Sequence, residues 1–224
     1  MTNTENKCKY GLCDGSGWVW EKPVGGREYP QYCKCHIESV KRKRFEKLLK
    51  ELQINDMRHM TFESYKPQHQ TQWRAYEQIH AAHKGYYLFG PIGVGKTHLM
   101  AATVIRAIGK EIVSVIITVP KLLDTLRRYG EKDTVAIEAL AYEADYLALD
   151  DMGKHKVTGW TEERLFMLID ERYKRFVSRK IHTSVSSNLP PEQLSNTIDP
   201  AIVDRIRGMC AEVFIDGKSY RIRQ

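Results

Sequence analysis

Two hydrophobic periodicities alternate along most of the chain. From Gln72 onward, stretches with apolar residues three and four apart give way to short β-branched or aromatic runs, and then return. The pattern predicts helices over Gln72–His83, from the turn at Gly90–Thr97 to about Gly109, and over Pro120–Tyr129, Thr134–Glu143 and Thr161–Phe176. The last of these opens on a threonine cap with two glutamates, Glu162 and Glu163, in its first turn. Strands are predicted at Gly85–Gly90, Ile112–Thr118, Tyr146–Asp150 and Ile181–Ser187. This alternation points to an α/β fold, a parallel sheet flanked by helices, with ligands at the carboxyl ends of the strands.

Before residue 71 the pattern is different. Residues 1–36 are rich in Gly and Cys, residues 37–52 carry apolar positions at helical spacing among basic ones, and residues 53–70 are mixed, ending near Lys66-Pro67. The expected organisation is therefore a Cys-rich module with a basic helix over 1–52, a linker over 53–70 and the main domain over 71–224.

Composition sharpens the picture at three points. The 224 residues are 42% hydrophobic, enough for a real core, which excludes global disorder. The longest apolar run, Ile112 to Val119, contains two hydroxyl residues and is far shorter than a membrane span. Met1 to Lys7 lacks the apolar stretch of a signal peptide, so a cytoplasmic protein with no membrane partner is expected. The net charge of +7 is concentrated in Lys41-Arg42-Lys43-Arg44, Lys47 and Lys50. Such a block suits nucleic-acid phosphates, or is the solvated face of a helix that binds a protein partner.

Five cysteines in an odd set argue against a disulfide framework. Cys8, Cys13, Cys33 and Cys35 are spaced Cys-x4-Cys, nineteen residues, Cys-x-Cys, with His36 next. Two close thiol pairs separated by a loop suit a tetrahedral zinc site in a segment too small to hold itself together. Gly15 and Gly17 after Cys13 let backbone amides turn toward a sulfur. The alternatives are free thiols in a mobile tail, which would invite oxidation, and His36 replacing one cysteine as ligand. Trp18, Trp20 and Tyr32 suit packing around the zinc better than stacking on bases. Cys210, among apolar neighbours, reads as a plain buried cysteine.

The strongest chemical signal is Gly90-Pro91-Ile92-Gly93-Val94-Gly95-Lys96-Thr97, which fits G-x-x-x-x-G-K-[ST] between a predicted strand and a predicted helix. Glycines let successive N–H groups face an anion, and the helix N-terminus adds its positive end. Lys96 can reach the β- and γ-phosphates, and Thr97 can ligate magnesium. Asp150 and Asp151 end the apolar run that follows, the first placed to hold Mg²⁺ and the second to orient or deprotonate the attacking water. Glutamate is the more usual second acid, so slow or partner-dependent ATP hydrolysis is expected from the shorter Asp151.

The loop followed by His98-Leu99, then Leu149-Asp150-Asp151-Met152-Gly153, then Ser186-Ser187-Asn188-Leu189, resembles the AAA+ ATPases of the DnaC/DnaI helicase-loader type. Asp204-Arg205-Ile206-Arg207, Ser219-Tyr220-Arg221 and Thr61-Phe62-Glu63-Ser64-Tyr65 fit the same group, so the resemblance covers roughly residues 60–224. It implies an AAA+ P-loop fold in which Gly90, Pro91, Gly93, Val94, Gly95, Lys96, Thr97, His98 and Asp150 bind ATP. Magnesium would fall to Thr97 and Asp150. It also implies that Asn188 lies near the γ-phosphate and the water, and that Arg205, or else Arg207, is an arginine finger for a neighbour's ATP. Thr61 to Tyr65 would form a hinge near the adenine. The 36 residues after Asn188 leave no room for the helical lid of many AAA+ proteins, which puts a separate cis arginine in doubt.

The resulting expectation is an ATP-dependent loader of a replicative hexameric DNA helicase. It would act on single-stranded DNA, self-associate into a ring or spiral, and grip the helicase through a zinc module. Two other classes share the P-loop: an IstB-like transposition ATPase acting with a transposase, and a small-molecule kinase. The cysteines argue against the first, and no acceptor lid is apparent for the second.

Overall fold

A computed structural model of the chain describes residues 8–22, 26–40, 54–82, 84–128, 132–179 and 181–221. The chain divides into two compact units between residues 51 and 52.

In the first unit, β1 (Trp18–Glu21) and β2 (Tyr29–Tyr32) pair antiparallel with Trp18 opposite Tyr32, and residues 34–40 form helix α1. A lone hairpin is marginal in water, and among its described residues only Gly17 and Cys33 are buried. Among these residues no core receives an indole. The expectation that the aromatics pack inward is overturned: Trp18, Trp20, Tyr29 and Tyr32 are all exposed. Trp18, Tyr32 and His36 lean on one another instead, with Tyr32 and His36 stacked at 4.7 Å. The basic tract Lys41–Arg44, with Lys47 and Lys50, lies outside the described residues.

The second unit is built on a five-stranded parallel sheet in the order β4-β5-β6-β3-β7: β3 (Gly85–Phe89), β4 (Ser114–Thr118), β5 (Tyr146–Met152), β6 (His182–Ser187) and β7 (Cys210–Phe214). The helices between them are α2 (Gln70–Ala81), α3 (Lys96–Gly109), α4 (Val119–Arg127), α5 (Lys132–Glu143), α6 (Gly159–Arg179), α7 (Pro191–Leu194) and α8 (Pro200–Met209). Strands covered on both faces read as continuous apolar runs, and Tyr86–Leu88, Val115–Ile117 and Leu147–Leu149 are all buried. Alternation along β3 sends Tyr86 to the Thr103 hydroxyl of α3 (2.9 Å) and Tyr87 to the Leu189 carbonyl (2.8 Å).

Several boundaries differ from the sequence pattern for local reasons. Helix α2 starts at Gln70 because His69 caps it and the Gln72 side chain reaches back to the His69 N–H (3.1 Å). The cap of α6 is Thr158, not Thr161. Each hydroxyl accepts from the other's N–H, at 3.2 and 2.8 Å, so the helix opens two residues early. Residues 61–69 are no linker, because Phe62 and Tyr65 are buried in this unit. Phe62 packs edge-on against Tyr76 and His80 of α2. Strand β7 was not expected at all. Among the described residues no helical lid follows it, and residues 215–221 return across the Gly90–Thr97 loop. No described helix is long and apolar enough to cross a membrane.

Candidate nucleotide-binding site

The loop from Gly90 to Thr97 leaves β3 and enters α3, and its backbone requires glycine. Gly93 and Gly95 have φ of +84° and +100°, values that residues with a Cβ rarely adopt. A Cβ at Gly93 would lie 2.0 Å from the Ser219 hydroxyl, and one at Gly90 would lie 1.8 Å from the Ile215 carbonyl. The loop is therefore clamped between the sheet and the returning tail, and Tyr220 N–H donates to the Gly93 carbonyl at 3.0 Å. Val94 is buried beneath it, its carbonyl accepting from Tyr65 (3.3 Å) and Gln72 (3.4 Å).

Lys96 Nζ donates to the carbonyls of Gly90 (2.7 Å) and Pro91 (2.6 Å). Burial, with the Lys154 ammonium nearby, brings its pKa down to about 8. A desolvated ammonium satisfied only by carbonyls is a group that gains from an anion. Thr97 and Asp150, 53 residues apart, meet with Thr97 Oγ1 donating to Asp150 Oδ2 at 2.8 Å. Asp150 is buried, which raises its carboxyl pKa, while hydrogen bonds from Ser186 and Thr97 act the other way. Its second oxygen accepts from Ser186. A hydroxyl and a fixed carboxylate beside a phosphate-shaped cradle form the donor set that Mg²⁺ takes with a nucleoside triphosphate.

Asp151 stands on a bulge. The register of β5 against β6 shifts between Leu149 and Met152, and Asp151 adopts φ +59°. Aspartate tolerates the left-handed region better than most residues, a reason for Asp rather than Glu here. Two serines of β6 pin the bulge: Ser186 Oγ accepts from Asp151 N–H (3.2 Å), and Ser187 Oγ donates to the Met152 carbonyl (2.8 Å).

These groups open on one cleft of about 380 Å³, lined by residues that include Lys96, Thr97, Asp151, Asn188, Tyr220 and Arg221. The structure thus brings Asn188 beside the P-loop and Asp151, as the resemblance implies. His98 also reaches the cleft wall, but its Nε2–H is committed to the Thr61 carbonyl at 2.8 Å. That bond ties it to the 61–65 segment while it still lines the cleft. That segment lays Tyr65 against Gly95, where a Cβ would meet the ring at 2.7 Å.

Neither arginine of α8 is free. Arg205 donates to Asp170 of α6 (2.8 Å) and to the Ala201 carbonyl (3.0 Å), and lies over Phe166. Arg207 meets Glu212 at 2.9 Å and Glu192 at 3.4 Å. Serving a neighbour's site requires either pair to open.

In the first unit the Sγ atoms of Cys8, Cys13, Cys33 and Cys35 lie within 4.8 Å of one another, with Cys8–Cys33 at 3.7 Å and Cys13–Cys35 at 3.5 Å. None is disulfide-bonded. Zinc–sulfur bonds of about 2.3 Å put tetrahedral thiolates about 3.8 Å apart, so the four fit one ion. Burial works to raise the Cys8 pKa, but the backbone amides of Cys13, Leu12 and Tyr10 prevail and lower it to about 6. His36 stacks on Tyr32 and lies outside this four-thiol set.

Sequence reasoning gave no role to Ser186, Lys154 or the tail residues Ser219–Arg221 beyond the resemblance. Ser186 stood within a quoted motif, yet a hydroxyl's partner across a sheet is not written in its own neighbours. Arg221 reaches the cleft through the tail without needing a helical lid.

The family model for IstB-like ATP binding protein matches residues 37–224, and the chain belongs to that family. It is 26% identical over 151 residues to the replicative helicase loader DnaI of Bacillus subtilis (strain 168), covering 62% of this chain and 48% of that protein. It is 31% identical over 140 residues to the insertion sequence IS232 putative ATP-binding protein of Bacillus thuringiensis subsp. berliner, covering 60% and 54%. The chain therefore spans about half the length of the curated relatives it matches. The crystal structure of the DnaC helicase loader shares its fold, with a TM-score of 0.63 at 23% identity over 72% of this chain and 99% of that one.

Proposed function

We propose that the chain is a magnesium-dependent ATPase that loads a replicative ring helicase onto single-stranded DNA in the cytoplasm. The P-loop amides and Lys96 would hold the phosphates, with Thr97 and Asp150 holding Mg²⁺. Asp151 would take a proton from the attacking water as its oxygen bonds to the γ-phosphorus and the bond to the β-phosphate oxygen breaks. Asn188 would orient that water. In a ring or spiral of subunits, Arg205 would leave Asp170 to offset charge in a neighbour's site; if Arg205→Ala spares hydrolysis while Arg207→Ala abolishes it, the finger is Arg207.

The observation that carries the loader reading is the four-thiol unit preceding an ATPase core similar to a helicase loader. We assign that unit to zinc and to the helicase contact. The similarity to the IS232 protein favours a second reading, an ATPase that works with a transposase on duplex DNA. Co-purification with the ring helicase of the same genome, with and without ATP, tests the first. Preference for double- over single-stranded DNA, with no helicase retained, would favour the second.

A further inference from the structure

Trp160 stands in the first turn of α6, and Arg164 follows one turn later on the same face, its guanidinium over the indole at 5.9 Å. A second guanidinium arrives from another element. Arg127, in the last turn of α4, lies over the same ring at 5.2 Å. An indole attracts a cation through its quadrupole and holds it in place without cancelling its charge. Among the described residues neither guanidinium has a carboxylate or carbonyl partner. Asp124, the acid of α4, is taken by Arg128 at 2.8 Å, and Glu163, next to Arg164 in the chain, makes no ion pair with it. Helix α8 is arranged the other way, with Arg205 and Arg207 matched to Asp170, Glu192 and Glu212.

We propose that Arg127 and Arg164, held on Trp160, form a nucleic-acid site on the second unit, each guanidinium taking a phosphate of a DNA strand. Two cations gathered on one ring repel each other, and a polyanion relieves that repulsion. Two separate cations also suit a chain of phosphates better than a single small anion. A planar guanidinium presents paired N–H donors to the two free oxygens of a phosphodiester. The ring is half-buried and Arg127 is exposed, so the scaffold belongs to the fold while the donors stay open to a strand. Phosphate contacts carry no base identity. The site takes a single strand or a duplex, so it does not rest on the choice between helicase and transposase as partner. The loop that carries Lys154 from the cleft runs directly into Trp160, which joins the nucleotide and the strand through one connection.

The test is binding of a labelled single strand, and of its duplex, to the full chain. Fluorescence anisotropy is read across a salt series with magnesium and a non-hydrolysable ATP analogue. Arg127→Gln and Arg164→Gln are each expected to weaken single-strand binding about tenfold. Each should also lower the slope of log affinity against log salt by about 0.7, the share of one phosphate contact. Arg127→Lys and Arg164→Lys keep the charge and should keep the slope, and affinity for the ATP analogue should not move in any of the four. An unchanged slope in Arg127→Gln, whose exposed side chain the core does not need, overturns the proposal. So does a slope that falls as far in the Lys variants as in the Gln variants, or a wild type that binds neither DNA. If only the duplex is bound, and the Gln variants lower its slope by about 0.9 each, the site stands and the loader reading fails.

Discussion

Ser186 joins the two acids of the cleft. Its hydroxyl donates to Asp150 and accepts from the Asp151 N–H, so one side chain orients the carboxylate proposed to hold Mg²⁺ and fixes the bulge beside it. Outer partners of metal ligands typically matter 10- to 100-fold. Ser186→Ala is therefore expected to raise the Mg²⁺ concentration for half-maximal hydrolysis at least about tenfold, which a magnesium titration reads directly. Lys96 carries a pH prediction. With its pKa lowered to about 8 by burial and Lys154, the nucleotide-free protein loses this charge as pH rises through that value. Phosphates favour the charged form, so ATP affinity falls above pH 8 and binding takes up a proton there. Calorimetry in buffers of different ionisation enthalpy should show that uptake at pH 8.5 and much less at pH 6.5. At this scale the sequence was most legible where chemistry is local. The P-loop glycines, Lys96, Thr97 and the Asp pair could be named from spacing alone, because contiguous backbone makes the cradle. Ser186 could not, since its contacts depend on a bulge and a strand register.

Among the elements, α6 shows how much a boundary depends on partners elsewhere. Arg172 on α6 is fully buried, yet its guanidinium is matched with backbone carbonyls: Ala144 at 2.5 Å, His182 at 2.6 Å and, more loosely, Tyr142 at 3.4 Å. Its Nε donates to Thr183 of β6 at 3.0 Å. One side chain thus ties the end of α5 and the start of β5 to β6. Arg172→Met removes four donors and leaves buried carbonyls unpaired, an expected loss of about 2–4 kcal/mol in denaturant unfolding. The apolar runs of β3, β4 and β5 were legible because parallel strands are buried on both faces. Strand β6, His-Thr-Ser-Val-Ser-Ser, is polar yet central, and the strand expected at Ile181–Ser187 matches it to within one residue. Strand β7 was missed because Cys-Ala-Glu-Val-Phe follows α8 without a turn residue, so only its pairing with β3 defines it. The 61–69 segment read as a linker because its two anchoring rings, Phe62 and Tyr65, have no periodic companions.

In the whole molecule the two units draw on different sources of stability. The second has a sheet, a core and an open cleft. Among its described residues the first has a hairpin, a short helix, exposed rings and four convergent thiols, too little apolar burial to hold a fold without a ligand. Metal analysis of the purified chain is expected to find about one zinc. A chelator should abolish the near-ultraviolet signal of Trp18 and Trp20 while leaving the main unfolding transition in place; a metal-free protein with that signal intact would refute the zinc assignment. The sequence located the thiols but misplaced the rings, which the described residues of the unit leave exposed. The most direct measurement is transfer of the ring helicase of the same genome onto circular single-stranded DNA, which offers no free end to thread. With wild-type protein and ATP, helicase bound to the circle should rise well above the level reached without the protein, and Lys96→Ala should abolish the gain. No gain with wild type, alongside ATP-dependent binding of duplex DNA, would contradict the account.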